Sequence, residues 1–169
     1  MKIANINYYC ELVKGGDGLI YSDTTPFQAV IKVPNKYTLV VFKSGRCRIM
    51  GCKEPIYQSI VIVGQIMVRV KRIQSLTITV EMGRTYHLRD VAERVKVSYE
   101  PELFPAARLL KYRPLCVNLF ASGKVVIMGL KTLHYYKQVE TIITDLQNLW
   151  LLFYEYTPYV IYFFFFYTN

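Results

Sequence analysis

Residues 39–53, LVVFKSGRCRIMGCK, return at 117–131 as VNLFASGKVVIMGLK, with Phe, Ser, Gly, Ile, Met, Gly and Lys shared at seven of fifteen aligned positions. An internal repeat constrains a fold before any local propensity does, and two copies are too few to stack into a solenoid. The chain is therefore expected to form two similar halves of one pseudo-symmetric domain. At 169 residues and 53% hydrophobic it can bury one full core.

Around the repeat the pattern reads as strands followed by helices. Ile3–Val13 is a first strand, closed by the flexible Gly15-Gly16-Asp17-Gly18. Phe27–Val33 and Tyr37–Lys43 form a hairpin turning at Pro34-Asn35, and Arg46–Gly51 adds a strand after Ser44-Gly45. Glu54–Val70 carries two signals. Its β-branched residues favour a strand, whereas Pro55 near a first turn and the spacing of Ile56, Ile60, Val63, Met67 and Val70 favour a helix; the spacing decides for helix. The second half repeats the layout with a strand at Ile73–Val80, a short helix at Leu88–Val95, and strands at Ala106–Tyr112, Leu115–Phe120 and Lys124–Met128. Leu133, Tyr136, Val139, Ile142 or Ile143, Leu146 and Leu149 mark an amphipathic helix from Thr132 to about Trp150. The expected class is α+β, a sheet with helices on one face and the other face open.

Charge points to a polyanion. The chain carries 21 Lys and Arg against 12 Asp and Glu, a formal +9, and residues 1–129 hold 19 of the bases but only 9 of the acids. Such a body attracts nucleic acid or an acidic membrane surface. Cys10, Cys47, Cys52 and Cys116 form no CxxC, and His87 and His134 stand at no ligand spacing, so no metal or cofactor is implied and the thiols read as reduced and buried. No cleavable leader is expected, because Met1-Lys2-Ile3-Ala4-Asn5 runs straight into a strand. A carboxylate pair, a Ser/His/Asp set and a phosphate loop are all missing, which argues against an enzyme.

The loop Tyr99-Glu100-Pro101-Glu102-Leu103-Phe104-Pro105, then Phe120 with SGKVVIMG, the strand RIQSLTITV and the earlier copy together resemble the TATA-box-binding protein (TBP) family, over about Ile3 to Leu149 and most strongly over Arg72–Lys131. The resemblance implies a pseudo-twofold saddle, a curved antiparallel sheet with helices on the convex face, made of half-repeats at 1–72 (degenerate and shortened) and 73–150 with an aromatic tail at 151–169. The family's first-half helix should be short or missing, since only twenty-two residues separate Asn5 from Phe27. It also implies a concave face laid into the minor groove of double-stranded, A·T-rich DNA. The intercalating positions carried over are Phe27, Phe42, Phe104 and Phe120, with Pro105 beside Phe104. The groove face comprises Asn5, Val40, Arg48, Met50, Ser75, Asn118, Val126 and Met128, and phosphate contacts fall to Arg46, Lys53, Lys124 and Lys131. Departures from the family pattern are concentrated on that face: Met50 and Met128 replace threonines, Arg48 a valine and Asn118 a leucine, so altered or relaxed sequence choice is expected. Glu100 and Glu102 match the glutamates that contact transcription factor IIB, which implies a IIB-like partner and polymerase machinery; the first-half loop Ser22–Pro26 keeps no such acids. The implied role is a non-enzymatic transcription initiation factor acting in the nucleus, or at a viral transcription site, since the compressed loops and the Tyr-, Phe-, Ile- and Lys-rich composition suit a fast-evolving viral or parasite lineage.

Two alternatives stay open on the sequence. The saddle could serve as a protein-interaction scaffold that has lost DNA binding, or as an accessory domain beside a nucleic-acid enzyme. The segment Leu149–Tyr167, LWLLFYEYTPYVIYFFFFY, holds 11 of the 25 aromatic residues and lies outside the family pattern. Glu155 and Pro158 interrupt it, which disfavours a membrane span and favours docking on the domain's own helices or on a partner over an exposed tail.

Overall fold

The computed structural model describes residues 1–17, 19–20 and 27–154; the expectations for the Ser22–Pro26 loop and for the tail beyond Tyr154 lie outside the described residues. Ten strands form one antiparallel sheet: β1 (Lys2–Lys14), β2 (Gln28–Val33), β3 (Tyr37–Phe42), β4 (Arg46–Cys52), β5 (Ile60–Val63), β6 (Ile66–Glu81), β7 (Val97–Ser98), β8 (Ala106–Leu109), β9 (Cys116–Phe120) and β10 (Lys124–Leu130). Among the described residues two helices accompany it, α1 (Leu88–Arg94) and α2 (Tyr136–Tyr154). The strand order β2-β3-β4-β1-β6-β10-β9-β8-β7 is a palindrome about the β1–β6 pair, with β5 joined to β6 off the main path.

The register makes the symmetry explicit. Ile6 pairs with Leu76, and on either side Asn5 pairs with Thr77 and Asn7 with Ser75, so an offset of 70 residues maps each strand onto the other about the Ile6–Leu76 pair. Moving outward, Tyr8↔Ile49, Tyr9↔Arg48, Cys10↔Cys47 and Glu11↔Arg46 in the first half match Ile78↔Ile127, Thr79↔Val126, Val80↔Val125 and Glu81↔Lys124 in the second. Side chains alternate across a pleated strand. Ile6, Tyr8, Cys10, Leu39, Val41, Cys47, Ile49, Leu76, Ile78, Val80, Val117, Leu119, Val125 and Ile127 accordingly point to one face and are buried in a single core. Their neighbours in sequence form the opposite, open face.

The two halves cover the buried face differently. In the second half α1 contributes Leu88 and Val91, and α2 contributes Val139, Ile142 and Leu146, while the Tyr86 hydroxyl donates to the Leu146 carbonyl at 3.2 Å. The helix expected over Glu54–Val70 is not formed. Ile60–Val63 and Ile66–Arg69 are instead the arms of a hairpin, β5 against β6, turning at Gly64-Gln65. Gly64 has φ +60°, the conformation a two-residue hairpin turn demands and an L side chain resists. The 3.6-residue spacing was coincidental: Val68 is buried and Arg69 exposed, Val70 half-buried and Lys71 exposed, which is a period of two. The stretch before β5 crosses the first-half core, where the Ile56 amide donates to the Tyr8 hydroxyl at 2.9 Å. Two smaller corrections concern element ends. The strand expected over Ala106–Tyr112 stops at Leu109 in a short 3-10 turn, and α2 begins only at Tyr136, after a bend at Thr132–Leu133 where the Thr132 hydroxyl accepts the His134 amide.

Midway along α2, Asp145 accepts hydrogen bonds from Lys111 Nζ (2.7 Å) and the Tyr112 hydroxyl (2.8 Å), tying the helix to the 3-10 turn. These bonds, that of Lys111 foremost, hold the Asp145 carboxyl below its ordinary range. A depressed carboxyl stabilises the fold above its unfolded pKa and loses that contribution as pH falls through the folded value. Asp145→Asn is therefore expected to cost ~0.5–1 kcal/mol at pH 7, a modest figure because the Lys111 partner is exposed. In denaturant titrations the gap from wild type should close as the pH is lowered below about 3.8.

The repeated glycines supply a second test. Gly45 and Gly123 are pseudo-twofold mates with φ of +77° and +81°, and each carbonyl accepts one amide, from Leu12 and Met82 respectively. A Cβ on Gly123 would lie 1.9 Å from the Arg84 carbonyl oxygen, whereas one on Gly45 meets nothing within 4 Å. Gly45→Ala should cost ~1–2 kcal/mol for the left-handed backbone alone. Gly123→Ala should cost at least twice as much, measured by the shift in denaturation midpoint at constant m.

Candidate nucleic-acid interface

The open face is built outward from the β1–β6 pair. At its centre lie Asn5 and Asn7 on β1 with Ser75 and Thr77 on β6, all half-buried. Asn7 bridges the halves: its Nδ2 donates to Ser75 Oγ at 3.0 Å and its Oδ1 accepts the Gly51 amide at 3.2 Å. Asn5 Oδ1 is a buried acceptor with no hydrogen-bond partner among the described residues. Flanking this polar centre, Met50 and Met128 are mates under the symmetry, as are Val40 and Asn118 and, farther out, Phe42 and Phe120. Asn118 is only 4% exposed and accepts a weak hydrogen bond from the Cys116 thiol at 3.7 Å. A groove this apolar, with isolated amides and hydroxyls at its centre, suits the edges of stacked bases better than a small polar metabolite.

The aromatic positions are not equivalent. Phe104 and Phe120 meet edge to face with ring centroids 6.0 Å apart, and Phe104 is 42% exposed. The loop that presents them is closed by the Glu100 carbonyl, which accepts the amides of both Leu103 (3.0 Å) and Phe104 (2.9 Å), so the backbone of the acidic loop and the position of the ring are one unit. Glu100, Glu102 and Pro105 are exposed there. In the first half Gln28 is the residue opposite Phe42, and Phe27 stands one step further out, its carbonyl accepting the Lys43 amide at 3.1 Å. Phe27 is 73% exposed, with the Lys43 ammonium 5.9 Å from its ring centroid. Over Phe42 lies the Arg48 guanidinium, 5.6 Å from the centroid.

Of the basic residues read as phosphate contacts, Arg46, Lys53, Lys124 and Lys131 are all exposed, and Lys131 Nζ donates to the Gln74 carbonyl. The structure adds side chains to this face that sequence reasoning missed. Asn7, Thr77, Thr79 and Tyr9 could have been found by carrying the two-residue period along each strand from Asn5 and Ser75. Arg72, whose guanidinium stands 5.1 Å from the Tyr9 ring centroid, could not, because register shifts between Asn7 and Tyr8 and between Tyr9 and Cys10 decide its place. Beneath the face, burial pushes the Cys10 thiol up to about 12 and those of Cys47 and Cys52 up to about 11, so these remain unreactive neutral thiols. No group of metal-ligating side chains occurs among the described residues, and none of their helices is long and apolar enough to cross a membrane.

A palindromic antiparallel sheet with one face sealed and the other open, apolar at its flanks and rimmed by cations defines a class of two-lobed saddle proteins. Comparison with known proteins narrows the class. Residues 70–149 match the family model described as "Transcription factor TFIID (or TATA-binding protein, TBP)". The TATA-box-binding protein of Methanococcus maripaludis strain C6 is 32% identical over 133 residues, covering 68% of this chain and 70% of the relative. That of Methanocaldococcus jannaschii is 33% identical over 119 residues, 60% of this chain and 62% of the relative. The solved structure of Methanococcus jannaschii TBP shares the fold with a TM-score of 0.65 at 24% identity, over 85% of this chain and 95% of that one. The chain belongs to the TATA-box-binding protein family, one of non-enzymatic transcription factors.

The Asn7–Ser75 bond crosses between the halves at the centre of the face and gives a direct test of how that centre is held. In a double-mutant cycle, Asn7→Ala and Ser75→Ala should show a coupling of ~0.5–1.5 kcal/mol in denaturation experiments, and additivity would place the bond elsewhere.

Proposed function

We propose that this protein is a transcription initiation factor that binds and bends A·T-rich promoter DNA through the minor groove and recruits a IIB-like factor through its second-half loop. The observation that carries the reading is the Phe104–Phe120 pair, an exposed aromatic wedge at one end of an apolar groove whose rim is cationic. Apolar wedges of this kind enter a base step and unstack it, and the bent duplex then wraps more protein surface; the TATA-box-binding protein family is itself the type example of that mechanism. Arg46, Lys53 and Lys124 at the rim neutralise phosphates, which makes affinity salt-dependent.

The groove floor bears on sequence choice. The minor groove offers mainly acceptors at A·T pairs, with a donor added only at guanine. Methionines at Met50 and Met128 offer no donor, whereas Asn5, Asn7, Ser75 and Thr77 offer both donors and acceptors. A·T preference then rests more on the ease of unstacking steps and opening the groove than on hydrogen bonds to particular bases. Glu100 and Glu102 are adjacent exposed acids on a net-basic body, so they attract a basic partner patch and leave the DNA face alone.

The test is binding at one fixed salt to end-labelled A·T-rich and G·C-rich duplexes, with energy transfer between the ends reporting the bend. A·T-rich DNA should bind more tightly and bend, and Phe104→Ala with Phe120→Ala should remove the bend. Glu100→Arg with Glu102→Arg should leave DNA binding intact while lowering affinity for the IIB-like factor at least tenfold. Equal, unbent binding to both duplexes would reduce the protein to a basic scaffold.

A further inference from the structure

We infer that the two halves of the open face act differently on DNA: the second half unstacks a base step with Phe104 and Phe120, and the first half grips a phosphodiester backbone, without a wedge, through a cluster of Tyr9, Arg48 and Arg72. This rests on the minor-groove reading above and assigns the first half a site of its own.

The pseudo-twofold register allows the halves to be compared pair by pair. Glu11↔Arg46 and Glu81↔Lys124 preserve charge between the halves, and Lys2↔Thr79 and Tyr9↔Arg72 both bring a cation to the same place. Among these pairs the halves part at Tyr9↔Arg48, whose mate is Thr79↔Val126. An aromatic ring and a guanidinium stand in one half where a small hydroxyl and an aliphatic side chain stand in the other. Arg48 reaches outward to lie 5.6 Å from the Phe42 centroid, and Arg72 lies 5.1 Å from that of Tyr9. Charges beside the cluster include Arg46 on β4, Arg69 opposite Glu11 on β6, and the ion pair of Lys71 with Glu11 at 2.8 Å, so Glu11 already has a cation of its own. Two guanidiniums held against rings on an exposed face, with planar donors free on their outer sides, match phosphate oxygens.

The same geometry takes the first half out of wedge duty. Phe42 cannot enter a base step while Arg48 covers it. Phe27 precedes Gln28, the partner of Phe42, by one residue, whereas Phe104 precedes Ala106, the partner of Phe120, by two, so only the second-half pair keeps the two-residue period that puts both rings on one face. In the second half Phe104 and Phe120 touch, and the uncharged Val126 stands where the first half has Arg48. One kink and one grip also make binding directional, since the halves can no longer exchange places on a symmetric site.

The experiment places 2-aminopurine at successive positions of an A·T-rich duplex and measures fluorescence with the full chain bound, alongside the bend and the salt dependence of affinity. Unstacking should appear at one end of the site only. Phe120→Ala should abolish it, while Phe42→Ala and the milder Phe42→Leu should leave both the fluorescence and the bend as in wild type. Arg48→Val, which installs the second-half residue, should lower the slope of log K against log salt by about 1 and produce a second unstacked step. Circular dichroism on each variant separates misfolding from loss of contact. Two unstacked steps in the wild type, equal loss of bend from Phe42→Leu and Phe120→Ala, or an unchanged salt slope in Arg48→Val overturns the inference while DNA bending by the wild type still stands. A wild type that binds no duplex overturns the minor-groove reading and this inference with it.

Discussion

Everything in this molecule depends on the pairing of β1 with β6. It joins residues about 70 apart in the chain, and its register sets which side chains of both strands face the core. A slip of one residue would invert every side chain of one strand and bury Asn5 and Asn7 in place of Ile6 and Tyr8. With Ile6 opposite Leu76 the two halves are locked into a common pleat, and each then builds outward through β4, β3 and β2 or β10, β9 and β8. The open face is thus a consequence of the sealed one: the apolar residues that must be buried take alternate positions, and the residues between them have nowhere else to point.

The two halves reach the same sheet with unequal support. The second retains helices that carry Leu88, Val91, Val139, Ile142 and Leu146 into the core. The first is covered by an extended stretch and the β5–β6 hairpin, which supply Ile56, Val61, Val63 and Ile66 at the core's margin. That difference on the covered side has its counterpart on the open side, where an aromatic pair in one half faces a cation-over-ring arrangement in the other. A duplicated domain freed from identical packing in its halves can also diverge in what its halves touch.

Much of this could be read from the chain. The repeat at residues 39–53 and 117–131 carried the pseudo-symmetry, and the two-residue period placed Phe42, Arg48 and Met50 on one face of the first half and Phe120, Val126 and Met128 on one face of the second. The amphipathic stripe from Leu133 to Leu149 located α2 to within one turn. What escaped had a physical cause in each instance. Ile56, Ile60, Val63, Met67 and Val70 satisfy a helical period by accident, and only Gly64, with its positive φ, marks the hairpin that forms there. Arg72 and Tyr9 meet across irregular pairing that no local pattern encodes. The register makes Gln28 the mate of Ala106 and so Phe27 the mate of Pro105, a one-residue difference that is invisible when Phe27 and Phe104 are aligned by residue type alone.

The central claim is that the open face addresses the minor groove. The most direct test replaces A·T pairs in a bound duplex with inosine·cytosine pairs, which keep the minor-groove edge of A·T and present the major-groove edge of G·C. Affinity and bend should survive this replacement to within a few-fold, while guanine·cytosine at the same positions lowers both. A loss with inosine·cytosine as large as that with guanine·cytosine would contradict that claim and move the contact to the major groove.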